Sequence, residues 1–262
     1  MNFNKFYLCF LIFIVGHYKS DAQEAILAKA YYKFSHVKDT AYLNYASTEN
    51  MILLLGKSSS EYKSYDKMIQ DSILLAQNQL GAKSMSMHGK KTSSSEFFFF
   101  NQTKTALESE AILKVYIFPI DYPDFHWKIL PDTLTISGLA CQKATGYWKG
   151  RIYEAWFCPQ LPFNTGPWKL CGLPGLILKA KDSKNQVIFD FAGFQNSNGQ
   201  TTIALPKTAI QTTKLDYMKL NEAFLENPMA FIKNSMPQIR EIKTSVPYVR
   251  KPPINNPIEL EK

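Results

Sequence analysis

Apolar and polar residues along this chain fall mostly into short runs of strand length, broken by turn residues. Lys29 to Val37 mixes aromatic and polar residues, and Met51 to Leu55 is a compact apolar run closed by Gly56. Glu96 to Lys104, Ile112 to Pro119 and Phe125 to Leu130 carry the same signal, and all five read as strands. Between Ser64 and Leu80 the pattern changes. Met68, Ile69, Ile73, Leu74 and Leu75 recur near helical spacing, which predicts a short helix with Asp66 as the capping residue. Gly81 to Ser95 offers little that could pack and is expected as a long loop, while Asn227-Pro228 introduces a helix over Met229 to Ser235. From Pro247 to Lys262, Pro247, Pro252, Pro253 and Pro257 predict a tail extended over the surface. No internal repeat or domain boundary interrupts this pattern.

Two strand-like runs, Thr135 to Trp148 and Arg151 to Cys158, are separated by Lys149-Gly150, which suits a two-residue hairpin turn with positive φ at the glycine. Such a turn sets the whole register. Trp148 then faces Arg151, Gly146 faces Tyr153, Thr145 faces Glu154, Ala144 faces Ala155, Lys143 faces Trp156 and Cys141 faces Cys158. By alternation the cysteine pair is non-hydrogen-bonded, the pair type in which side chains approach most closely. A Cys141–Cys158 disulfide is the expectation in an oxidising compartment, with two buried free thiols as the competing arrangement. Cys171 is then left over, although three cysteines also permit it to take either partner.

The next segment, Phe163 to Leu178, places Gly166-Pro167, Cys171-Gly172 and Pro174-Gly175 around an apolar run. Gly172 and Gly175 permit backbone angles closed to other residues, and Pro174 holds Leu173 extended, so a sharp buried turn is expected before a strand over Leu176 to Lys181. At these residues the chain resembles the GLPGLI family of exported proteins, found mainly in Bacteroidetes. Gly172-Leu173-Pro174-Gly175-Leu176-Ile177 reproduces the name motif complete. Cys141-Gln142-Lys143-Ala144, Gly150-Arg151, Tyr153-Glu154-Ala155-Trp156, Gly166-Pro167 and the closing Asn256-Pro257-Ile258-Glu259-Leu260 are also like family features. The resemblance implies export to the cell envelope and a mostly antiparallel β architecture; it carries no established activity.

Composition adds a compartment. Of the 262 residues, the first 22 open with a basic Lys5, continue through the apolar run Phe6 to Val15 and end on Ser20-Asp21-Ala22 before Gln23. Ten apolar residues are about half of the roughly 20 that span a bilayer, so residues 1–22 read as a cleaved secretory signal and the mature chain has no transmembrane segment. Residues 23–246 are expected as a single β-rich domain and 247–262 as the proline-rich tail. The formal charge of +8 falls to +7 without Lys5, Lys19 and Asp21. Its Lys and Arg are scattered, and neither a nucleic-acid module nor base-stacking aromatics interleaved with basic residues accompany them. Aromatic residues make up 14% of the chain and favour pleated surfaces, which supports an α+β fold dominated by antiparallel β: a curved sheet or half-barrel with a few short helices.

The chain has no His-Glu-x-x-His, Gly-x-Ser-x-Gly, Cys-x-x-Cys or phosphate-loop motif, and no cofactor is expected. Cys171 with His126 would make a thiolate nucleophile only if the fold joined them. Met85, Met87 and His88 offer soft ligands suited to Cu(I), needing a further ligand to make a site. The leading expectation is a non-catalytic envelope protein, periplasmic, outer-membrane-associated or extracellular. It would hold an amphipathic ligand, or dock an outer-membrane protein, through Lys143, Arg151, Trp156 and Trp168. An envelope enzyme would start from Trp127, Trp156 and Trp168 with Lys143, Arg151 and Glu154, whose bland roles are core packing and cross-strand pairing.

Overall fold

The computed structural model of the protein describes residues 23–79, 91–235 and 254–261. The expected signal segment and the Met85, Met87 and His88 group lie outside those residues. In chain order the elements are β1 (Glu24–Ala25), β2 (Ala28–His36), β3 (Ser47–Leu55), β4 (Ser59–Ser64), α1 (Tyr65–Gln79), β5 (Glu96–Phe100), β6 (Thr105–Ile112) and β7 (Lys114–Ile120). They continue through β8 (Lys128–Ile136), β9 (Leu139–Trp148), β10 (Arg151–Cys158), β11 (Leu176–Asp182), β12 (Val187–Asn196), β13 (Thr202–Ile203), β14 (Ile210–Gln211), α2 (Lys214–Glu226) and α3 (Pro228–Ser235). Among the described residues no helix is long and apolar enough to cross a membrane.

One 12-stranded sheet dominates, in the order β14-β7-β6-β5-β4-β3-β2-β12-β11-β10-β9-β8. It consists of two antiparallel meanders, β2 to β7 and β8 to β12, joined where β12 pairs with β2. That central seam brings Val187 opposite His36 and Asn196 opposite Ala28, so the middle of the sheet is its most non-local pairing. Among the described strands only β14, against β7, is parallel. The α+β class and the open, mainly antiparallel sheet agree with the sequence pattern.

Burial explains why several strands read as unbroken apolar runs. On β3, Met51, Leu53 and Leu55 enter the main core, while Ile52 and Leu54 enter a second core on the opposite face. Phe97 and Phe99 of β5 likewise face the main core and Phe98 the second. A strand covered on both faces loses period-two alternation. The second core is closed by Tyr65 and Met68 of α1 and by Ile203 and Leu205. At the start of α1 the cap is Ser64, whose Oγ accepts the Lys67 N–H at 2.9 Å. Asp66, expected as the cap, instead accepts from the Asn50 backbone and side chain at 3.0 and 2.9 Å and ties the helix to β3.

The main core joins β5 and β6 to β9 through β12, strands far apart in sheet order, which requires the sheet to bend around it. Residues 159–175 lie across this inner face. Thr165 meets Ser60 of β4 at 3.2 Å, Lys169 sits over the Phe97 ring, and Trp168 stacks on Phe189. Trp168, Leu170 and Leu173 therefore fill the hollow that the curved sheet would otherwise offer to a ligand.

The hairpin between β9 and β10 has the register that the Lys149-Gly150 turn predicts, from Arg151 opposite Trp148 to Phe157 opposite Gln142. Both turn residues have positive φ, +44° at Lys149 and +84° at Gly150. A second turn of the same kind, Ser137 (+49°) and Gly138 (+81°), splits the run Thr135 to Trp148 into the end of β8 and the whole of β9. Its Ser-Gly pair sits inside strand-like composition and gives little local contrast.

One expectation is corrected here. The Cys141–Cys158 disulfide is absent: Cys141, Cys158 and Cys171 are free and buried. Burial and the neighbouring Cys158 push the Cys141 thiol up to about 11, so it stays protonated and a poor partner for thiol exchange. Of the expected surface tail, residues 254–261 lie against the sheet, mostly exposed but with Asn256 buried.

Candidate functional site

The side chains proposed from sequence as one binding group fall on two sides of the sheet. Along β10, Arg151, Tyr153, Ala155 and Phe157 point inward, and Ile152, Glu154 and Trp156 point outward. Lys143 lies outward opposite Trp156, pairs with Glu154 at 2.7 Å and covers the Trp156 ring at 5.5 Å. Trp168 and Arg151 are interior. Period-two alternation along β10 sets Trp156 and its cross-strand partner Lys143 on the face opposite Arg151, while the Trp156 ring also packs against the main core.

Cys171 and His126 are not a catalytic pair. The His126 side chain is 82% exposed beside Asp124, whereas Cys171 is buried and donates toward the Pro123 carbonyl at 3.6 Å. Burial pushes the Cys171 thiol up to about 11. The Cys171 carbonyl accepts the Trp127 Nε1–H at 2.7 Å, and Trp127 stacks on Phe125, so this part of the motif region holds the core together. Among the described residues no group of three or more His, Cys, Asp or Glu is arranged to hold a metal ion.

The inward Arg151 is 3% exposed and uses its whole fork. Nη1 donates to Asp182 at 2.7 Å and reaches Gln186 at 3.5 Å. Nη2 donates to the Asn256 side-chain oxygen at 2.7 Å and the Pro257 carbonyl at 2.6 Å, while Nε donates to the Ile258 carbonyl at 2.8 Å. Asp182 is satisfied on its other side by the Gln186 and Val187 N–H groups at 2.6 and 2.9 Å. The planar guanidinium thus ties the β10 end of the hairpin to the C-terminal segment. A lysine ammonium cannot make that connection, because it lacks the fork.

Three residues further along the segment, Glu259 accepts from Trp148 Nε1 at 3.0 Å and from the buried Lys169 at 2.7 Å. Glu259 and Glu261 form one wall of a cleft of about 670 Å³ whose other walls are Pro119, Ile120 and Asp121 at the end of β7, Trp148 and Lys149 at the hairpin, and Lys214, Leu215 and Met218 on α2. Leu215 and Met218 are 62% and 51% exposed, three residues apart on one helical face. Lys149 bonds Asp121 at 2.9 Å and holds its carboxyl below the usual range. The cleft therefore has an apolar floor and a rim carrying both signs of charge.

Glu108 belongs to the same neighbourhood. It lies on β6 between Phe97 of β5 and Phe118 of β7, within the fields of Lys169, Lys214, Glu110 and Glu259. Burial pushes its carboxyl up to about 7, against the pull of Lys169. Because the unfolded value is near 4.3, the unfolded chain gives up this proton first, and stability falls as pH rises from about 4.5 to about 7. Replacing Glu108 with Gln removes that loss. The stability of Glu108→Gln relative to the parent should climb by about 3 kcal/mol between pH 4.5 and 7.5 in urea unfolding; a flat difference would contradict it.

Glu108, Lys169 and Asp182 were not singled out by sequence reasoning, and Asn256 and Glu259 entered it only as members of the closing motif. Each is an ordinary polar residue in its own segment, and its long-range partners lie about 30 to 220 positions away.

Residues 142–179, from the β9–β10 hairpin through the motif turn into β11, match a family model described as a protein of unknown function (Porph_ging). No curated protein matches the chain. Among solved structures, a chain described as the structure of PNGF-II in the P21 space group is similar with a TM-score of 0.51 and 12% identity, covering 74% of this chain and 33% of that one. Another, described as PNGF-II in the C2 space group, has a TM-score of 0.49 and 13% identity over 76% of this chain and 32% of that one. This protein thus spans about a third of the length of the structures it resembles, and at such identity the likeness is one of fold. The hairpin and motif turn together are the part it shares with a family of unknown function.

Proposed function

We propose that the protein is exported to the cell envelope and there acts as a non-catalytic binding protein for an amphipathic molecule carried in the cleft between α2, the hairpin turn and the C-terminal segment. One observation carries this reading: Leu215 and Met218 are exposed toward a space whose opposite wall is Trp148, while the hollow of the sheet is filled by the chain's own Trp168, Leu170 and Leu173. An apolar cleft with a few polar groups at its rim is the usual form of a small-molecule site. The exposed Lys149–Asp121 pair and the more buried Lys169–Glu259 pair that line the cleft suit a zwitterionic head group, with the chain lying on Ile120, Leu215 and Met218. Export is supported by the apolar run and small residues within 1–22.

Dodecylphosphocholine below its micelle concentration is a suitable probe, read by tryptophan fluorescence. Saturable binding is expected for the parent. Met218→Glu should weaken it at least tenfold, roughly 1.4 kcal/mol, and leave the thermal midpoint unchanged, because the side chain is exposed. Equal affinity in parent and variant, or no saturable binding by the parent, would overturn the proposal.

A further inference from the structure

The C-terminal segment is held in an unusual way for an extended piece of chain. It adds no strand to the sheet, and most of its bonds come from side chains of the body. Asn256 is buried with both ends of its amide used: Nδ2 donates to the Val37 carbonyl at 2.6 Å, and Oδ1 accepts from Arg151. The Asn256 carbonyl accepts from His36 Nε2 at 2.7 Å, and its N–H reaches the Lys38 carbonyl at 3.3 Å. His36 is itself buried, and burial holds it down at about 4, so the imidazole stays neutral and presents its single Nε2 proton to that carbonyl.

Pro257 and Ile258 offer their carbonyls to Arg151, and Glu259 is read by Trp148 and Lys169 together. Asn255 completes the contact from the outside, accepting from the Thr40 N–H at 2.9 Å and donating to Asp39 at 2.6 Å. Strand addition reads backbone and tolerates many sequences, whereas this contact reads an amide, a carboxylate and their spacing. An aspartate at 256 lacks the donor for Val37, and an alanine leaves both Val37 and Arg151 short of a partner.

We infer that the groove formed by His36, Val37, Trp148, Arg151 and Lys169 is a sequence-specific peptide-recognition site for Asn-Pro-Ile-Glu, occupied by the chain's own C-terminal segment as a releasable strap. A second polypeptide presenting those four residues competes for it. Since Glu259 and Glu261 wall the ligand cleft, release of the strap opens the cleft on that side. The inference stands on the groove alone and does not depend on what the cleft binds.

The test uses the full chain with a protease recognition sequence inserted between residues 245 and 246 and a fluorophore at the C-terminus, cleaved after folding. The C-terminal fragment should co-elute with the body. A synthetic peptide of residues 254–262 should displace it, and the same peptide carrying Asn256→Ala should require at least tenfold more. Both peptides act on one folded sample, so a folding defect cannot imitate the discrimination. Separation of the fragment on cleavage at micromolar concentration, or equal displacement by the two peptides, would overturn the inference.

Discussion

Replacing Arg151 with Met is expected to destabilise the protein by about 3–5 kcal/mol, the range for removing one partner of a buried ion pair. The reason is what remains behind. Asp182 keeps its two backbone N–H donors but loses the cation that balances its buried charge. Asn256 Oδ1 and the Pro257 and Ile258 carbonyls lose their donors in the same step. Arg151→Lys should recover only part of the loss, because one ammonium cannot reach Asp182 and three segment oxygens at once. Pairing Arg151→Met with Asp182→Asn should cost less than Arg151→Met alone, since no unpaired carboxylate is then buried. Urea unfolding gives the energies, and hydrogen exchange over 254–261 should rise in Arg151→Met even under conditions where the body remains folded. A cost below about 1 kcal/mol would place the pair in the class of exposed ion pairs and refute its role as the clamp.

The second large effect belongs to Gly175. Its φ is +150°, and an added Cβ would stand 2.3 Å from the Cys158 carbonyl oxygen, 2.6 Å from the Cys158 carbonyl carbon and 2.9 Å from the Pro159 Cα. All of these are backbone atoms at the end of β10, which pairs Cys158 with Leu176, so the strand junction itself must move. Gly175→Ala should therefore cost about 4 kcal/mol or more, the upper end for single substitutions. Gly172 is the contrast within the same motif. Its φ is +92°, but a Cβ there meets nothing closer than the Trp127 ring at 3.8 Å. Gly172→Ala should cost only about 1–2 kcal/mol, the penalty of a left-handed backbone. Matched unfolding curves for the two alanine variants separate steric exclusion from conformational preference, and equal midpoints would contradict the assignment. Two glycines that look alike in Gly-Leu-Pro-Gly are thus held by different physics.

How far the residues alone carry the reading depends on the range of the interaction involved. Lys149-Gly150 specifies a two-residue turn, and a two-residue turn specifies every pair from Arg151–Trp148 to Phe157–Gln142. The strand of aromatics at Glu96 to Phe100, the helix beginning at Pro228 under an Asn227 cap and the sharp turn at Gly172 to Gly175 were legible for the same reason, since propensity, capping and turn chemistry act over a few residues. The helix Lys214–Glu226 escaped notice because its face is only partly apolar and none of its residues is buried. Proximity of Cys141 and Cys158 was likewise a register result, but register does not decide whether a bond forms between two buried thiols.

The candidate site shows the limit. Lys143, Arg151, Trp156 and Trp168 cluster in sequence, and the sheet divides them between its two faces. Arg151, Asp182 and Asn256 are far apart in sequence, and the fold closes them into one network. The C-terminal tail looked like surface chain because four prolines disfavour regular structure there, and nothing within the tail announces the pocket that buries Asn256. Local chemistry determined the hairpins, caps and motif turn from the residues themselves. The filled hollow, the cleft and the clamp depend on the β12–β2 seam and on the bending of the sheet, because desolvation and hydrogen-bond pairing act between whatever side chains the fold brings together, regardless of their distance along the chain.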